Sequence, residues 1–191
     1  MPSGQSGSAL KRLLPNDPLP PYAYVPRRFP HPTRDPEGHS FRKRPEPETA
    51  LVPERWPESR SYLRGIHLFN HGYYWEAHEA WEHLWHQCGR TGPTADFLKG
   101  LIAFAAAGVK AREGSVEGVR THASRAAQLL SSIRANPSHR SFGGLDLPTL
   151  IAWAVSIREE ANGLLNDSSE AVVIVMPFAL ALDESRARSE S

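Results

Sequence analysis

The feature that most constrains the fold is the segment from Pro93 to about Arg112, which is apolar on nearly every side of a helix. Its central part, Phe97 to Val109, contains leucine, isoleucine, phenylalanine, alanine and glycine, with Lys99 as its one charged residue. A surface helix has a single apolar stripe, whereas a helix that is apolar all round must be covered by neighbours. The sequence therefore predicts a buried central helix, and its small residues allow neighbouring backbones to approach closely.

Four other segments also carry a helical pattern of apolar residues. They are bounded by proline, glycine or capping residues and span residues 57–71, 73–88, 115–135 and 146–164. Pro57 suits a first helical position, Gly72 can adopt the positive φ that ends a helix, and Asp146 is a favoured N-cap. Together with the central helix, these segments predict an all-α fold, a single five-helix bundle-like domain.

The first 55 residues differ from the rest, because they hold most of the 17 prolines and almost no hydrophobic periodicity. Their aromatic residues are more than a flexible linker needs, so we expect an extended arm that partly drapes over the domain. Val172–Phe178 has the composition of a strand but no partner strand, so it is expected to lie extended across the bundle. We divide the chain into an extended or partly disordered Pro-rich arm (1–55), an all-α domain (56–166) and an extended C-terminal segment with a frayed tail (167–191).

Composition and charge narrow the functional classes. A formal net charge of +1 is not typical of a nucleic-acid binder, so no nucleic-acid partner is expected. The single cysteine, Cys88, excludes an intramolecular disulfide and is typical of the reducing cytoplasm. There is no apolar N-terminal segment ahead of a small-residue cleavage site, and the longest apolar run, Ala171 to Leu182, is too short to cross a bilayer. We therefore expect a cytoplasmic protein without a membrane partner.

The densest group of ionisable residues lies in the predicted second helix. On that helix His78, Glu79 and Glu82 share an arc about 100° wide. His78 and Glu82 are four residues apart, the spacing at which two side chains of one helix can chelate one metal ion, and Glu82 and His86 have the same spacing. A metal bound by either pair needs a further ligand from another part of the chain. The candidate histidines are His67, His71, His86 and His122.

Three potential ligands also occur in the arm. His31, Asp35 and His39 could contribute to a metal site. Because prolines separate them, we interpret them as turn and surface residues.

The carboxylates of the second helix also admit a structural interpretation. Buried acids need basic partners, and Lys99 and Lys110 recur on nearly the same face of the central helix. Glu76, Glu79 and Glu82 could pair with these lysines or with arginines and fix the register of the helices.

Two motifs together resemble a known family. The first is Phe69-Asn-x-Gly-x-Tyr-x-Glu-Ala-His-Glu-x-x-Glu-x-x-Trp85, and the second is Phe97-Leu-x-Gly-Leu-Ile-x-x-Ala-Ala-Ala107, followed by a Gly-rich turn. Over about residues 56–135 the chain resembles the bacterial family catalogued as domain of unknown function 309. The resemblance implies a small all-α bundle, no established activity and the loose label of predicted metal-dependent hydrolase. The family's polar motif residues fall on Glu76, His78, Glu79 and Glu82.

In the first functional hypothesis the chain is a metal-dependent hydrolase. His78, Glu82 and His122 bind a divalent metal, with zinc as the first choice, and Glu79 is the general base that deprotonates the activated water. The supporting polar network consists of Glu76, His86, Lys99 and Lys110.

In the second hypothesis the chain is a non-catalytic helical binding or scaffold module. The same ionisable residues then form a structural ion-pair network, and the aromatic residues line a groove. The partner in either hypothesis is an unidentified small molecule or peptide. The apolar helices leave room for a homodimer.

Overall fold

The computed structural model of the chain describes residues 13–43 and 49–183. These residues form five α-helices: α1 Arg60–Asn70, α2 Tyr74–Gln87, α3 Pro93–Arg112, α4 Val116–Arg134 and α5 Leu147–Glu159. Two 3₁₀-helices, Pro53–Glu58 and Ala161–Leu164, and two strands, β1 Ser141–Phe142 and β2 Leu145–Asp146, complete the regular structure of the described ranges. The predicted all-α class is confirmed. None of the helices found in the described residues has the length and apolarity to span a membrane.

Helix α3 is the centre of the bundle, as its sequence predicts. It packs against both α2 and α4, while α1 packs on α2 and α5 on α4. Phe97, Leu101 and Phe104 are fully buried on it. At Gly108 a Cβ atom would lie 2.5 Å from the Tyr74 ring, so the missing side chain lets α2 approach the α3 backbone. Helix α3 is buried over most of its surface, with Ile102, Ala106 and Val109 half-buried along one side, and its packing against α2 constrains where the polar residues of α2 can lie.

The first α-helix begins later than the sequence analysis predicts. Pro57 does not start it but lies inside the preceding 3₁₀-helix. Helix α1 starts at Arg60, and the Ser59 hydroxyl accepts a hydrogen bond from the Tyr62 amide at 3.4 Å. Serine satisfies a free amide at the helix start, which proline at the first position cannot do, and this explains the shifted boundary. The end of α1 is as predicted, with Gly72 at a φ of 85°.

The C-terminal segment crosses the bundle in an extended conformation, without joining a strand. The Tyr74 hydroxyl accepts hydrogen bonds from the amides of Val175 and Met176 at 2.9 and 3.0 Å. Phe178 stacks on Trp153 of α5 with ring centroids 4.0 Å apart. The segment therefore links α2 to α5 across the surface of the bundle.

The described part of the arm, residues 13–43, is a succession of turns that lies against α1 and α2. Asp17 forms an ion pair with Arg60 at 2.7 Å. The Tyr73 hydroxyl donates to the carbonyl of Pro20 at 2.9 Å, and the Ala23 amide donates to the carbonyl of Ala171 at 2.8 Å. These contacts attach the arm to the start of α2 and to the C-terminal segment.

Glu76 of α2 makes the most buried polar contact with the arm. Its Oε1 accepts hydrogen bonds from the Tyr24 amide at 3.0 Å and from His39 Nε2 at 2.9 Å. The side chains of His39 and Glu76 are each 6% exposed. The prediction that His39 is a surface residue is therefore wrong, because the acceptor that buries it lies in α2, far along the chain.

An aromatic cluster surrounds this contact. Tyr24 and His31 of the arm each lie against Trp75, with ring centroids 5.2 and 5.4 Å apart. Tyr24 and His31 also contact each other at 5.0 Å. His31 is thus part of the interface between arm and bundle, and this interface explains why the arm carries so many aromatic residues.

The close packing of α1 on α2 gives a first prediction. A Cβ atom at Gly65 would lie 2.2 Å from Nε1 of Trp81, which is fully buried. Overpacking a rigid indole costs about 1–3 kcal/mol, more than the roughly 1 kcal/mol that alanine gains over glycine in a helix. We expect Gly65→Ala to lower the free energy of unfolding, measured by urea titration. Gly163→Ala, where nothing lies within 4 Å of the added atom, is the matched control and should leave stability nearly unchanged.

The buried contact of Glu76 gives a second prediction. Glu76→Ala removes the acceptor of the Tyr24 amide and leaves His39 buried without its partner, at a cost of about 1–3 kcal/mol. Amide hydrogen exchange at Tyr24 should become about tenfold faster or more, while exchange in α3 changes little. Glu117→Ala, at an exposed position of α4, is the control. Unchanged protection of the Tyr24 amide in the Glu76 variant would contradict this role.

Candidate functional site

Three ionisable residues of α2 come together on one side of the helix. His78, Glu79 and Glu82 each offer one ligand atom, and these atoms all lie within 4.8 Å of one another. His78 Nε2 is 3.7 Å from Glu82 Oε2, the i, i+4 contact that the sequence predicts. His78 and Glu82 are half-buried, whereas Glu79 is exposed. The three groups can therefore reach a common ion from solvent.

The chemistry and spacing of this group suit a divalent metal. One imidazole and two carboxylates are a donor set that zinc and other first-row transition metals accept. Ligand atoms about 2.1 Å from a tetrahedral ion are roughly 3.4 Å apart, so small side-chain rotations would bring all three into range. Three protein ligands leave a coordination position open, as in catalytic metal sites.

The electrostatics of the group also favour a cation. Burial lowers the pKa of His78, even though the charge of Glu82 acts in the opposite direction. The imidazole is therefore neutral at pH 7, the form that binds metals. Although Glu79 is exposed, partial desolvation by the surrounding protein raises the pKa of its carboxyl, and the neighbouring charge of Glu82 raises it further, with Arg34 partly offsetting both. A cation would relieve the repulsion between the two carboxylates.

His122, the predicted third ligand, lies on α4 and interacts electrostatically with His78. Burial lowers the pKa of His122, and the interactions with Lys110 and His78 lower it further. It does not belong to the three-residue group, in which Glu79 supplies the third ligand atom. The role of His122 as a ligand stays a prediction.

The residues predicted to form a supporting network have other contacts. Lys110 forms an ion pair with Glu113 at 2.5 Å, and the Lys99 ammonium lies 4.7 Å from the ring centroid of Trp85. His86 Nδ1 accepts a hydrogen bond from Arg90 Nε at 3.0 Å. The predicted pairing of these lysines with the α2 carboxylates is not found among the described residues, where Lys110 pairs with Glu113 and Lys99 lies over Trp85.

The two other candidate histidines lie together on α1. His67 is fully buried, and His71 is half-buried. His71 Nδ1 donates to the carbonyl of His67 at 2.7 Å, and the two rings are 4.4 Å apart. The structure therefore brings these residues to each other and not into the group on α2.

A cleft of about 520 Å³ lies between the arm, α1 and α2, next to the three-residue group. Glu79 and Glu82 belong both to that group and to the cleft wall. The other charged or titratable residues of the wall include His39, Lys43, Arg64, Glu76, His83 and His86. Its volume is in the range of small-molecule sites, about 300–1,000 Å³.

Two polar atoms in the wall residues of this cleft have no partner among the described residues. They are Oε2 of Glu76 and Nε2 of His83, and both are buried. Buried polar atoms of a folded protein are nearly always hydrogen-bonded to protein or to water. The wall beside α2 therefore has unused hydrogen-bonding capacity.

The contribution of the arm to this site is not evident from the sequence. His39 and Lys43 line the cleft from a segment that the sequence shows only as proline-rich turns. Neither residue has a local pattern that marks it, since its position depends on contacts between the arm and α2. The one signal in the sequence is the excess of aromatic residues in the arm. This excess indicates that the arm docks on the helical domain, but it does not show on which surface.

The comparisons with known proteins agree with the helical part of this description. A family model described as Domain of unknown function (DUF309) matches residues 62–121, from α1 into α4. The match contains the three-residue group of α2 and excludes both the arm and His122. No curated protein matches the chain. The resemblance predicted from the two motifs is confirmed: residues 62–121 of this chain match the DUF309 family, which is defined by a domain of unknown function.

Proposed function

We propose that the chain binds a divalent metal ion through His78, Glu79 and Glu82 and acts as a metal-dependent hydrolase on a small molecule held in the adjoining cleft. One observation carries this proposal: the three ligand atoms lie within 4.8 Å of one another where α2 borders a cleft of about 520 Å³. When bound, a divalent ion supplies Lewis-acid chemistry and lowers the pKa of water to near neutrality.

The residues of the chain have distinct parts in this proposal. His78 contributes a neutral imidazole, and Glu82 and Glu79 contribute two carboxylates whose mutual repulsion favours a cation between them. Glu79 thereby takes the place that the sequence analysis gives to His122. The alternative, in which His122 is the third ligand and Glu79 the general base, remains a prediction that separate variants can distinguish.

A second candidate function is a non-catalytic binding module. The observation that favours it is that Glu76, a motif residue, fixes the arm to α2 through Tyr24 and His39 without any metal. In this alternative the His78–Glu82 contact is only a surface pair, worth about 0–1 kcal/mol. The cleft would then hold a small molecule or peptide without changing it chemically.

Metal binding separates the two candidates. We expect the untagged wild-type protein to bind one zinc or manganese ion, measured by calorimetric titration after chelator treatment. His78→Ala or Glu82→Ala should weaken binding by about 100-fold or more, because each removes one of three ligands. Loss of affinity in Glu79→Ala but not in His122→Ala would support the ligand set proposed here.

The matched control for this titration is Glu159→Ala. Glu159 is exposed at the end of α5 and belongs neither to the three-residue group nor to the cleft wall, so its removal should leave affinity unchanged. The metal proposal would be contradicted if the wild-type protein bound neither ion, or if the wild type and His78→Ala had equal affinity. The non-catalytic binding module would then be the remaining candidate function.

The raised pKa of Glu79 gives a prediction on pH. Its ordinary value is 4.5, and burial and the charge of Glu82 make the ionised carboxyl less favourable in the folded chain than in the unfolded one. The stability associated with this group is therefore present below pH 4.5 and lost as the pH rises through the higher folded pKa. Without metal, Glu79→Gln should match the wild-type Tm near pH 4 and exceed it by about 1–2 °C at pH 7.

The measurement is a thermal melt of both proteins with chelator at several pH values. Glu54→Gln, an exchange at an exposed acid in the 3₁₀-helix before α1, is the control and should show no such divergence. A variant that is less stable than the wild type at pH 7 would mean that attraction, for example to Arg34, outweighs burial and repulsion at Glu79.

A further inference from the structure

The walls of the cleft between the arm, α1 and α2 differ in charge. The α2 wall carries the carboxylates of Glu76, Glu79 and Glu82. The other walls carry two cations, Lys43 from the arm and Arg64 from α1. A ligand in this cleft therefore lies between an acidic helix and basic groups.

The two cations differ in the protein groups that already bind and neutralise them. Arg64 lies 3.6 Å from the carboxylate of Asp17 and donates to the carbonyl of Pro18 at 2.8 Å. Lys43 is exposed at the end of the described arm, and within residues 13–43 and 49–183 no carboxylate pairs with its ammonium group. Within the described ranges, Lys43 is thus the cation of the cleft wall without a carboxylate partner.

The acids on the α2 wall are compensated in a different way. Glu76 accepts from His39 and from the Tyr24 amide, so its charge is committed to holding the arm. A divalent ion at Glu79 and Glu82 would neutralise those two carboxylates. The ion would cancel the repulsion from those two carboxylates, so an anionic ligand could approach Lys43 and the open coordination position of the ion.

We infer that the cleft takes a small molecule with an oxyanionic group, a phosphate or a carboxylate, and that Lys43 of the arm binds that group. The inference rests on the proposed metal site, because an unloaded α2 wall would repel an anion. Lysine is a common partner of phosphate and carboxylate, to which it donates charge-assisted hydrogen bonds. The cleft volume of about 520 Å³ is enough for a ligand of modest size and too small for a folded partner.

The position of Lys43 in the chain gives this inference a consequence for specificity. The family match covers residues 62–121 and includes the metal group, but it does not include the arm. The metal group would thus be a property of the shared helical part. The basic wall is a contribution of the arm, and the arm would determine which ligand this chain accepts.

The test uses phenylphosphonate and benzoate, a phosphonate and a carboxylate that the proposed enzyme has no bond to hydrolyse. Each is titrated calorimetrically into the full chain loaded with zinc or manganese. We expect Lys43→Ala to weaken binding of the preferred probe about tenfold or more, with metal affinity unchanged, and Lys43→Arg to restore most of it. The comparison of the two probes identifies whether the oxyanion is a phosphate or a carboxylate.

Lys99→Ala is the matched control, since Lys99 lies over Trp85 and does not line the cleft. Increasing KCl should weaken probe binding to the wild type more than to Lys43→Ala, because one ion pair is screened in the first case only. This salt difference is a readout that a general loss of folding would not produce.

The outcomes separate this inference from the proposed function. If metal binds but Lys43→Ala binds both probes as well as the wild type does, the inference is overturned and the metal proposal stands. If the wild type binds no metal, the metal proposal fails, and absence of probe binding then overturns this inference as well. Probe binding that requires Lys43 but no metal would support the role of Lys43 in binding the oxyanion, independently of the metal proposal.

Discussion

The carboxylate of Glu76 joins the two parts of the molecule on which the site depends. Through one oxygen it accepts hydrogen bonds from the Tyr24 amide and from His39, and so holds a segment without regular structure against a packed helix. The contact is almost completely shielded from water, where a charge-assisted hydrogen bond is strongest and an unpaired partner most costly. Together with the other contacts of the arm, this contact keeps the arm beside α2, so a motif residue of the helical domain helps to shape the cleft.

Helix α2 therefore divides its polar residues between two tasks. The buried Glu76 binds the arm through Oε1, whereas His78, Glu79 and Glu82 are left close to one another with an imidazole kept neutral and two carboxylates that repel. The packing of α2 against the largely buried α3 leaves α2 little freedom to turn these groups elsewhere. An arrangement of this kind is poorly satisfied by the protein alone, and clusters of perturbed ionisable groups beside a cleft are typical of binding or catalytic sites.

The fold could be predicted from the sequence where local rules decide it. The all-round apolarity of α3 and the turn at Gly72 follow from composition and backbone preference, and both are found. Local competition explains two errors: Ser59 caps α1 in place of Pro57, and Lys110 pairs with Glu113, three residues along its own helix. The His78–Glu82 contact was predictable because it is an i, i+4 pair. His39 was not, because 37 residues separate it from Glu76 and no local pattern encodes such a contact.

The most direct test of this account is X-ray absorption spectroscopy of the zinc-loaded chain. The account predicts a first shell of nitrogen and oxygen at about 2.0–2.2 Å, with the multiple scattering of a single imidazole. That imidazole signal should be absent when His78→Ala is measured under the same conditions. A shell with no imidazole, or a spectrum that His78→Ala leaves unchanged, would contradict the claim that α2 holds the metal.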